Sequence, residues 1–387
     1  MSNTQAYYLE PVDFDPFAGP EIEQRTALSK PQEEIWLSCM LGGADACRCY
    51  NESVSLNLTG KLDEQALRLA LQDLVSRHES LRCTFKNDGT EILIYQNQNI
   101  NLAFNDLTNL NSGEQQEHIR QFLRVEALLT YDLENGPLFR TTLFKLAERR
   151  HYFTFSAHHI ICDGWSLGIL LQDLSKLYSA YQQNTKPLLP QVMQMSGYIA
   201  AQLQLAQTEE FAQTTAFWVD QFKGKIPETR LPIDFPKPET WTYQSRRDDF
   251  KLNPQLTSAL KKTGAKMGCS FVVTMLSAFE ILLHQTTGQQ ETVLGLPAAG
   301  QAALGYNGLT GHCVNLLPLK SLLKPETTFN KYLKLRKTEI LDALEHQQFS
   351  LGSLLKLLPV KRNVARIPLV PVVFNIEMDM DGGVDFN

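Results

Sequence analysis

The run Ala157-His158-His159-Ile160-Ile161-Cys162-Asp163-Gly164-Trp165-Ser166 gathers the densest set of chemically competent side chains in the sequence. An imidazole can move a proton near neutral pH. A nearby carboxylate can orient it. A glycine lets a reacting carbonyl approach the backbone and offers an N–H to a developing oxyanion. An apolar strand delivers the two histidines, and an Asp-Gly turn and a helix follow. Adjacent strand residues point to opposite faces, so one imidazole is expected inside as a structural group and the other in a cleft. The end of a strand is where α/β proteins usually bind ligands.

The same stretch contains a competing pattern. Gly164-Trp165-Ser166-Leu167-Gly168 matches the G-x-S-x-G nucleophile elbow. In an elbow the strand runs straight into the first glycine, whereas here His158 to Asp163 intervene. No HGGG-type oxyanion segment lies upstream. Ser166 reads better as the N-cap of the following helix. Cys162 and Trp165 read as packing residues, as does Phe374.

The elements that must hold this cluster follow from periodicity. Residues 1–26, rich in Pro, Asp and Gly, read as a linker. A short helix begins near Pro31, and Val54, Leu56 and Leu58 alternate as in a strand. Asp63 can cap a helix carrying Leu67, Ala70, Leu71, Leu74 and Val75 on one face. Strands are expected at LRCTF, EILIYQ, PLFRTTLFKL and HYFTFSAHHII, with helices at 112–129 and 167–181. Pro-rich stretches around 185–190 and 231–239 flank an amphipathic segment and mark the division between two halves. The expected organisation is a first lobe over 27–184, a connection over 185–240 and a second lobe over 241–387. The second lobe reads as a strand (246–252), a helix from Ser270, strands ETVLGLP and VNLLPLK, a helix (327–347) and a closing strand VPVVFNIEM.

Composition narrows the class. The 387 residues carry a formal charge of −6, with 43% hydrophobic and 20% charged residues. Such a chain buries a substantial core without disulfides or structural metal. No apolar run approaches the ~20 residues that span a bilayer. The N-terminal residues lack the basic and apolar regions of a secretory signal. The mild acidity and the lack of a basic stripe argue against nucleic acid as partner. Cys39, Cys47 and Cys49 cluster without a second Cys/His pair at zinc-finger spacing, so the seven cysteines read as reduced cytosolic thiols and no metal is expected.

The pattern His158-His159-x-x-x-Asp163-Gly164 resembles the signature of the condensation-domain superfamily of acyltransferases, best known from nonribosomal peptide synthetases. The resemblance extends along the chain. Ser29-Lys30-Pro31-Gln32-Glu33-Glu34-Ile35-Trp36 looks like the first family motif, departing at Glu33 and Glu34. Arg77-His78-Glu79-Ser80-Leu81-Arg82-Cys83-Thr84-Phe85 is close to the second, and the histidine pair is the third. Ser196-Gly197-Tyr198 begins the fourth. Gly311-His312-Cys313-Val314-Asn315-Leu316 resembles the fifth, His346-Gln347-Gln348-Phe349-Ser350 the sixth, and Arg366-Ile367-Pro368-Leu369 with Val372-Val373-Phe374-Asn375 the seventh. The opening Val12-Asp13-Phe14-Asp15-Pro16-Phe17 and the closing PVVFN look like domains that follow a polyketide synthase module.

This resemblance implies a mixed α/β (α+β sandwich) fold: two chloramphenicol-acetyltransferase-like lobes set in a V around a central tunnel, the second lobe cut short near Asp385-Phe386-Asn387. It implies amide formation between a carrier-bound acyl or peptidyl thioester and a carrier-bound aminoacyl group. The partners would be an upstream donor and a downstream acceptor carrier protein and adjacent synthetase domains, with no membrane, in the cytoplasm. The domain itself would bind no cofactor, because the substrates ride on phosphopantetheine. His159 would assist catalysis and His158 would be structural. Asp163 would pair with an arginine, Arg82 or alternatively Arg77. Gly164 would admit the thioester, Trp165 and Ser166 would line or brace the loop, and Asn315 would brace it across the cleft. Two alternatives stay open: a stand-alone coenzyme A-dependent acyltransferase, and a catalytically silent docking domain of the same fold.

Overall fold

The computed structural model describes residues 20–236, 238, 242–360 and 368–376. Most of the expected linker, Arg366, Ile367 and the chain's last residues lie outside them.

The first sheet that matters for the site has strand order β2-β7-β6-β5. It is built from β2 (Asn51–Thr59), β5 (Leu102–Asp106), β6 (Phe139–Ala147) and β7 (Arg150–His158). β7 is central and pairs antiparallel with both neighbours, in register Glu52↔Ala157 on one side and Phe139↔Ala157 on the other. Every residue of β7 from Phe153 to His158 is buried, so the strand is covered on both faces. A second sheet, in the order β1-β4-β3, joins β1 (Ile22–Thr26), β4 (Ile92–Tyr95) and β3 (Cys83–Phe85). The expected linker therefore ends sooner than its composition suggested. Residues 22–26 are a strand held by hydrogen bonding to β4 rather than by burial, since only Ile22 and Thr26 are partly covered.

Helix α1 (Lys30–Arg48) starts at a capping box, in which Ser29 accepts from the Gln32 N–H and Gln32 answers at the Ser29 N–H. It runs well beyond a short helix, kinking at Gly43, whose φ of 64° lies in the left-handed region that favours glycine. α2 (Glu64–Arg77), capped by Asp63, and α4 (Gly164–Gln182) pack their apolar faces together. α3 (Ser112–Leu128) follows β5.

Two hydrophobic cores form. The first gathers Leu67, Leu71, Leu143, Phe153, Ile160 and Leu174, and includes Met195, Tyr198 and Ile199 of α5 (Met195–Leu205). The second gathers Trp218 of α6 (Glu209–Gln221), Leu276 of α8 (Phe271–Thr287), and residues of β8 (Glu291–Ala299), β9 (Val314–Leu322) and α10 (Phe329–Glu345). Leu309 and Cys313, from the segment between β8 and β9, pack in the first core. The chain thus crosses back, and the expected boundary at 240 does not separate the two cores.

In the second half, α7 (Pro254–Lys266) precedes α8, a single turn α9 (Gly300–Ala303) follows β8, and α11 (Leu351–Leu357) follows α10. Residues 246–252 form no strand. The expected closing strand is reduced, among the described residues, to one parallel bridge, Gly295↔Val373. Phe374 is partly buried against Phe279 in the second core. At the heart of that core, Arg336 makes a bidentate pair with Glu280 (2.7 and 2.8 Å), and Tyr332 donates to the same carboxylate.

Candidate functional site

β7 ends at His158, and the strand direction carries His159 past the last ladder rung, where its N–H donates to Tyr50 O at 2.7 Å. The two imidazoles separate as strand geometry requires. His158 is fully buried between the rings of Tyr50 and Tyr131. Its Nδ1 accepts the Ile160 N–H at 3.2 Å. Nδ1 therefore carries no proton, and Nε2 presents its N–H to Cys47 Sγ (3.4 Å), with Cys39 Sγ at 3.8 Å. These three side chains lie close enough to surround an ion. The tautomer argues against it, because Nε2 offers a proton and not a lone pair.

His159 keeps 27% of its side chain exposed. Its Nε2 lies 3.0 Å from Glu52 Oε1, and its ring meets His312 edge-to-face at 4.7 Å. Burial pulls its pKa down, but the hydrogen bond and charge of Glu52, then the charge of Asp163, win and hold it above the ordinary 6.5. His312 goes the other way. Burial, with His159 and His158 nearby, holds it well below the ordinary value.

Asp163 is fully buried and, among the described residues, pairs with no arginine. Its Oδ1 caps α4, accepting the Ser166 N–H at 2.8 Å and the Ser166 hydroxyl at 2.6 Å. Its Oδ2 accepts from Gln301 Nε2 at 3.1 Å and from the Cys313 N–H at 3.3 Å. The expected partners are engaged elsewhere. Arg82 contacts Glu23 Oε2 (2.7 Å) and the carbonyls of Val75, Tyr95 and Gln96. Arg77 contacts Asp173 at 2.8 Å. Four hydrogen bonds replace the expected ion pair, two from Ser166 in the same turn and two from the segment after β8.

Asp163 also takes the N-cap role expected of Ser166. Ser166 sits in the first turn of α4, fully buried, and its Oγ accepts the Gly311 N–H at 3.0 Å. Gly311 has φ of 149°, and a Cβ there would meet Met195 Sδ at 2.5 Å, so close passage of the segment against α5 requires glycine. A hydroxyl so engaged is no nucleophile. Cys162 is buried, as expected of a packing residue. Trp165 is not: it is 45% exposed, on the outer side of the first turn. A Cβ on Gly164 would meet nothing within 4 Å, so open space faces the N-terminus of α4. Asn315 does not reach the motif. Its Nδ2 donates to Gln347 O at 2.8 Å, bracing β9 to the turn after α10.

Of the other motif residues, Gln32 reaches this turn, and those of the second motif brace Thr310 and Ser196. Gln32 Nε2 donates to Ile160 O at 3.0 Å. His78 Nδ1 and Ser80 Oγ both meet Thr310 Oγ1, at 3.1 and 2.9 Å. The Glu79 carboxylate accepts from Ser196 N and Oγ, both at 3.0 Å. Sequence reasoning missed Glu52, Gln301 and the His312–His159 contact. For Glu52 a signal existed, because a residue at the start of β2 lies diagonally across from one just past the end of β7 on the same face.

Residues 22–385 match the condensation domain family. The chain is 32% identical over 365 residues to a linear gramicidin synthase of Brevibacillus parabrevis, covering 93% of this chain and 7% of that protein. It is 31% identical over 364 residues to surfactin synthase subunit 2 of Bacillus subtilis (strain 168), covering 94% of the chain and 10% of the relative. The chain thus spans a small part of the length of these relatives. Among solved structures, a four-domain nonribosomal peptide synthetase bound to AMP and glycine superposes with a TM-score of 0.80 at 20% identity, covering 94% of this chain and 27% of that one. The first condensation domain of the calcium-dependent antibiotic synthetase superposes with a TM-score of 0.75 at 20% identity, over 95% and 83% of the two chains.

Proposed function

Because the chain belongs to the condensation-domain family, acyltransferases that form amide bonds, we propose that it joins a carrier-bound acyl or peptidyl thioester to the amine of a carrier-bound aminoacyl group. The setting is nonribosomal peptide or hybrid polyketide–peptide synthesis in the cytoplasm, beside other synthetase domains. Among the described residues no single helix is long and apolar enough to cross a membrane.

One observation carries the reading. A partly exposed imidazole, His159, follows the end of β7 five residues before the N-terminus of α4, where Gly164 leaves the backbone bare. The reaction breaks the thioester C–S bond and forms a C–N bond. The amine loses a proton, and the departing phosphopantetheine thiolate gains one. An α-amine has a reference pKa of about 7.7–8.0, so roughly 10–20% is neutral at pH 7. His159 therefore need not create the nucleophile. It takes the proton as the bond forms or holds the amine in line. Positioning two tethered reactants contributes on the order of 7–11 kcal/mol, more than one base supplies. We take the Gly164 N–H, at a helix N-terminus, to be the donor that meets the oxyanion. Asp163 and Ser166 hold the turn, and Arg82 holds the strands behind it.

The test is a single-turnover assay of His159→Ala with loaded donor and acceptor carrier proteins. A rate loss of about 10²–10⁴-fold is expected for a lost base. A near-normal rate removes His159 from the mechanism. The same assay with acyl-coenzyme A and free amine separates the stand-alone acyltransferase, because turnover without carrier proteins overturns the carrier-dependent reading.

A further inference from the structure

We propose that Cys39 and Cys47 form an oxidisable dithiol beneath the histidine turn: a peroxide converts them to a disulfide, and the new bond disturbs the backbone that holds His159. Formation of the bond is independent of the reaction proposed above; only its effect on rate rests on that reading.

The kink in α1 makes the site. In an unbroken helix, residues eight apart are separated by about 12 Å along the axis, so their thiols cannot meet. Gly43, halfway between the two cysteines, breaks α1 with its φ of 64°. Both sulfurs then converge on His158 Nε2, Cys39 at 3.8 Å and Cys47 at 3.4 Å. They lie within 4.8 Å of one another, and both are free and buried. The kink that joins them is exposed at Gly43, Ala44 and Asp45. Local opening there admits an oxidant little larger than water.

The surroundings select one sulfur as nucleophile. His158 Nδ1 accepts the Ile160 N–H, so the Nε2–H points at the sulfurs. The hydrogen bond from the Cys39 thiol, set against burial and joined by that from His158, holds the Cys47 thiol below its ordinary range. Cys39, the donor of that bond, is held above it. The Tyr131 carbonyl, 3.7 Å away, accepts from Cys47 before it ionises.

The Cys47 thiolate attacks one peroxide oxygen and the O–O bond breaks. The leaving hydroxide takes up the proton that Cys47 released and becomes water, and Cys47 becomes a sulfenic acid. The Cys39 sulfur attacks that sulfur, the S–S bond forms, and the hydroxyl leaves with the Cys39 proton as a second water. Two thiols are oxidised to one disulfide, and one hydrogen peroxide is reduced to two waters. The sulfurs must close to about 2.05 Å, so Cys47 moves. Its carbonyl accepts the Tyr50 N–H at 3.1 Å, and the Tyr50 carbonyl accepts the His159 N–H at 2.7 Å. The displacement therefore reaches His159 through two backbone hydrogen bonds.

The test treats the folded full chain with hydrogen peroxide, blocks the remaining thiols and maps the peptides by mass. Single-turnover rates are measured before treatment, after it, and after a dithiol reductant. Cys39→Ala and Cys49→Ser are treated alongside, because Cys49 is the exposed cysteine. A Cys39–Cys47 bridge, lighter by two hydrogen atoms, is expected in the parent and in Cys49→Ser. Displacing a reacting group by about 1 Å can cost on the order of 100-fold, so a fall of about 10- to 100-fold is expected, reversed by the reductant. Cys39→Ala is expected to form no bridge and to lose the reversible fall. Cys39 and Cys47 left as thiols, or Cys47 found only as a sulfinic acid, while Cys49 is oxidised overturns the dithiol. A bridged protein with an unchanged rate overturns its hold on His159. If the untreated parent forms no amide, the proposed function fails, and the peptide map still decides the bridge.

Discussion

The Asp163 carboxylate accepts a hydrogen bond at 3.1 Å from the side-chain amide of Gln301, 138 residues further along the chain, and so fastens the histidine turn to the segment after β8. The other oxygen caps α4. One buried carboxylate thus sets the start of the helix and the closure of the second half of the chain on it.

Asp163→Asn is expected to destabilise the protein. An asparagine that keeps the cap must turn its NH₂ toward Gln301 Nε2 and the Cys313 N–H, both donors. Each buried donor left unsatisfied costs about 1–3 kcal/mol. Thermal denaturation should show a clear fall in midpoint along with any loss of rate. Lost activity at unchanged thermal stability would instead indicate a catalytic triad.

Ser166→Ala tests the hydroxyl that receives the Gly311 N–H. Stability should fall by about 1–3 kcal/mol from the orphaned donor. Condensation by the folded fraction should persist, because the serine acts as a strut. Complete loss of turnover in a well-folded variant would revive the nucleophile elbow.

The motif residues were legible because each does local work that leaves a spacing behind. Ser29 and Gln32 close a capping box, and Asp163 reaches Ser166 within one turn. What stayed hidden acts over distance. Gln301 and the Cys313 N–H reach Asp163 from 138 and 150 residues away, and no local pattern announces such a partner. The expected Arg82 pair failed for a related reason: its guanidinium is taken by the carbonyls of Val75, Tyr95 and Gln96, closer in sequence. β1 escaped notice because backbone pairing with β4 and not an apolar face makes it a strand. α7 escaped because only Gly264 of its residues is buried.

The buried pair Glu280–Arg336 predicts fragility in the second core. Both side chains are almost fully excluded from solvent. Arg336→Met strands a carboxyl group whose remaining hydrogen-bond partner is Tyr332. Breaking such a pair on one side typically costs about 3–5 kcal/mol. Denaturant unfolding should show that loss. The double variant Arg336→Met with Glu280→Leu should recover part of it, and no recovery would mean that the pair is not the cause.

The pH dependence of stability has a predictable sign at His312. Its folded pKa is depressed by burial and by His159 and His158. Between that value and the ordinary 6.5, the unfolded chain binds the proton and the folded one does not. Stability is therefore full above pH 6.5 and is lost as pH falls below it, with a slope of up to about 1.4 kcal/mol per pH unit. His159 opposes this, because its raised pKa adds stability that is lost as pH rises through the folded value. His312→Gln should flatten the acid-side fall, measured by denaturant unfolding across pH. An unchanged slope would place the acid sensitivity elsewhere, with His78 the next buried candidate.

Gly164 separates folding from substrate access. It occupies the first position of α4, a Cβ there meets nothing within 4 Å, and its φ is not in the left-handed region. Gly164→Ala should therefore fold as well as the parent, or gain up to about 1 kcal/mol from reduced freedom of the unfolded chain. Its effect on rate then reports on the open space at the N-terminus of α4. If the thioester approaches the bare backbone there, the alanine methyl should slow condensation, and Gly164→Val should slow it further while thermal stability stays near that of the parent. Equal rates across the series would move the thioester away from the N-terminus of α4 and remove the Gly164 N–H from oxyanion stabilisation.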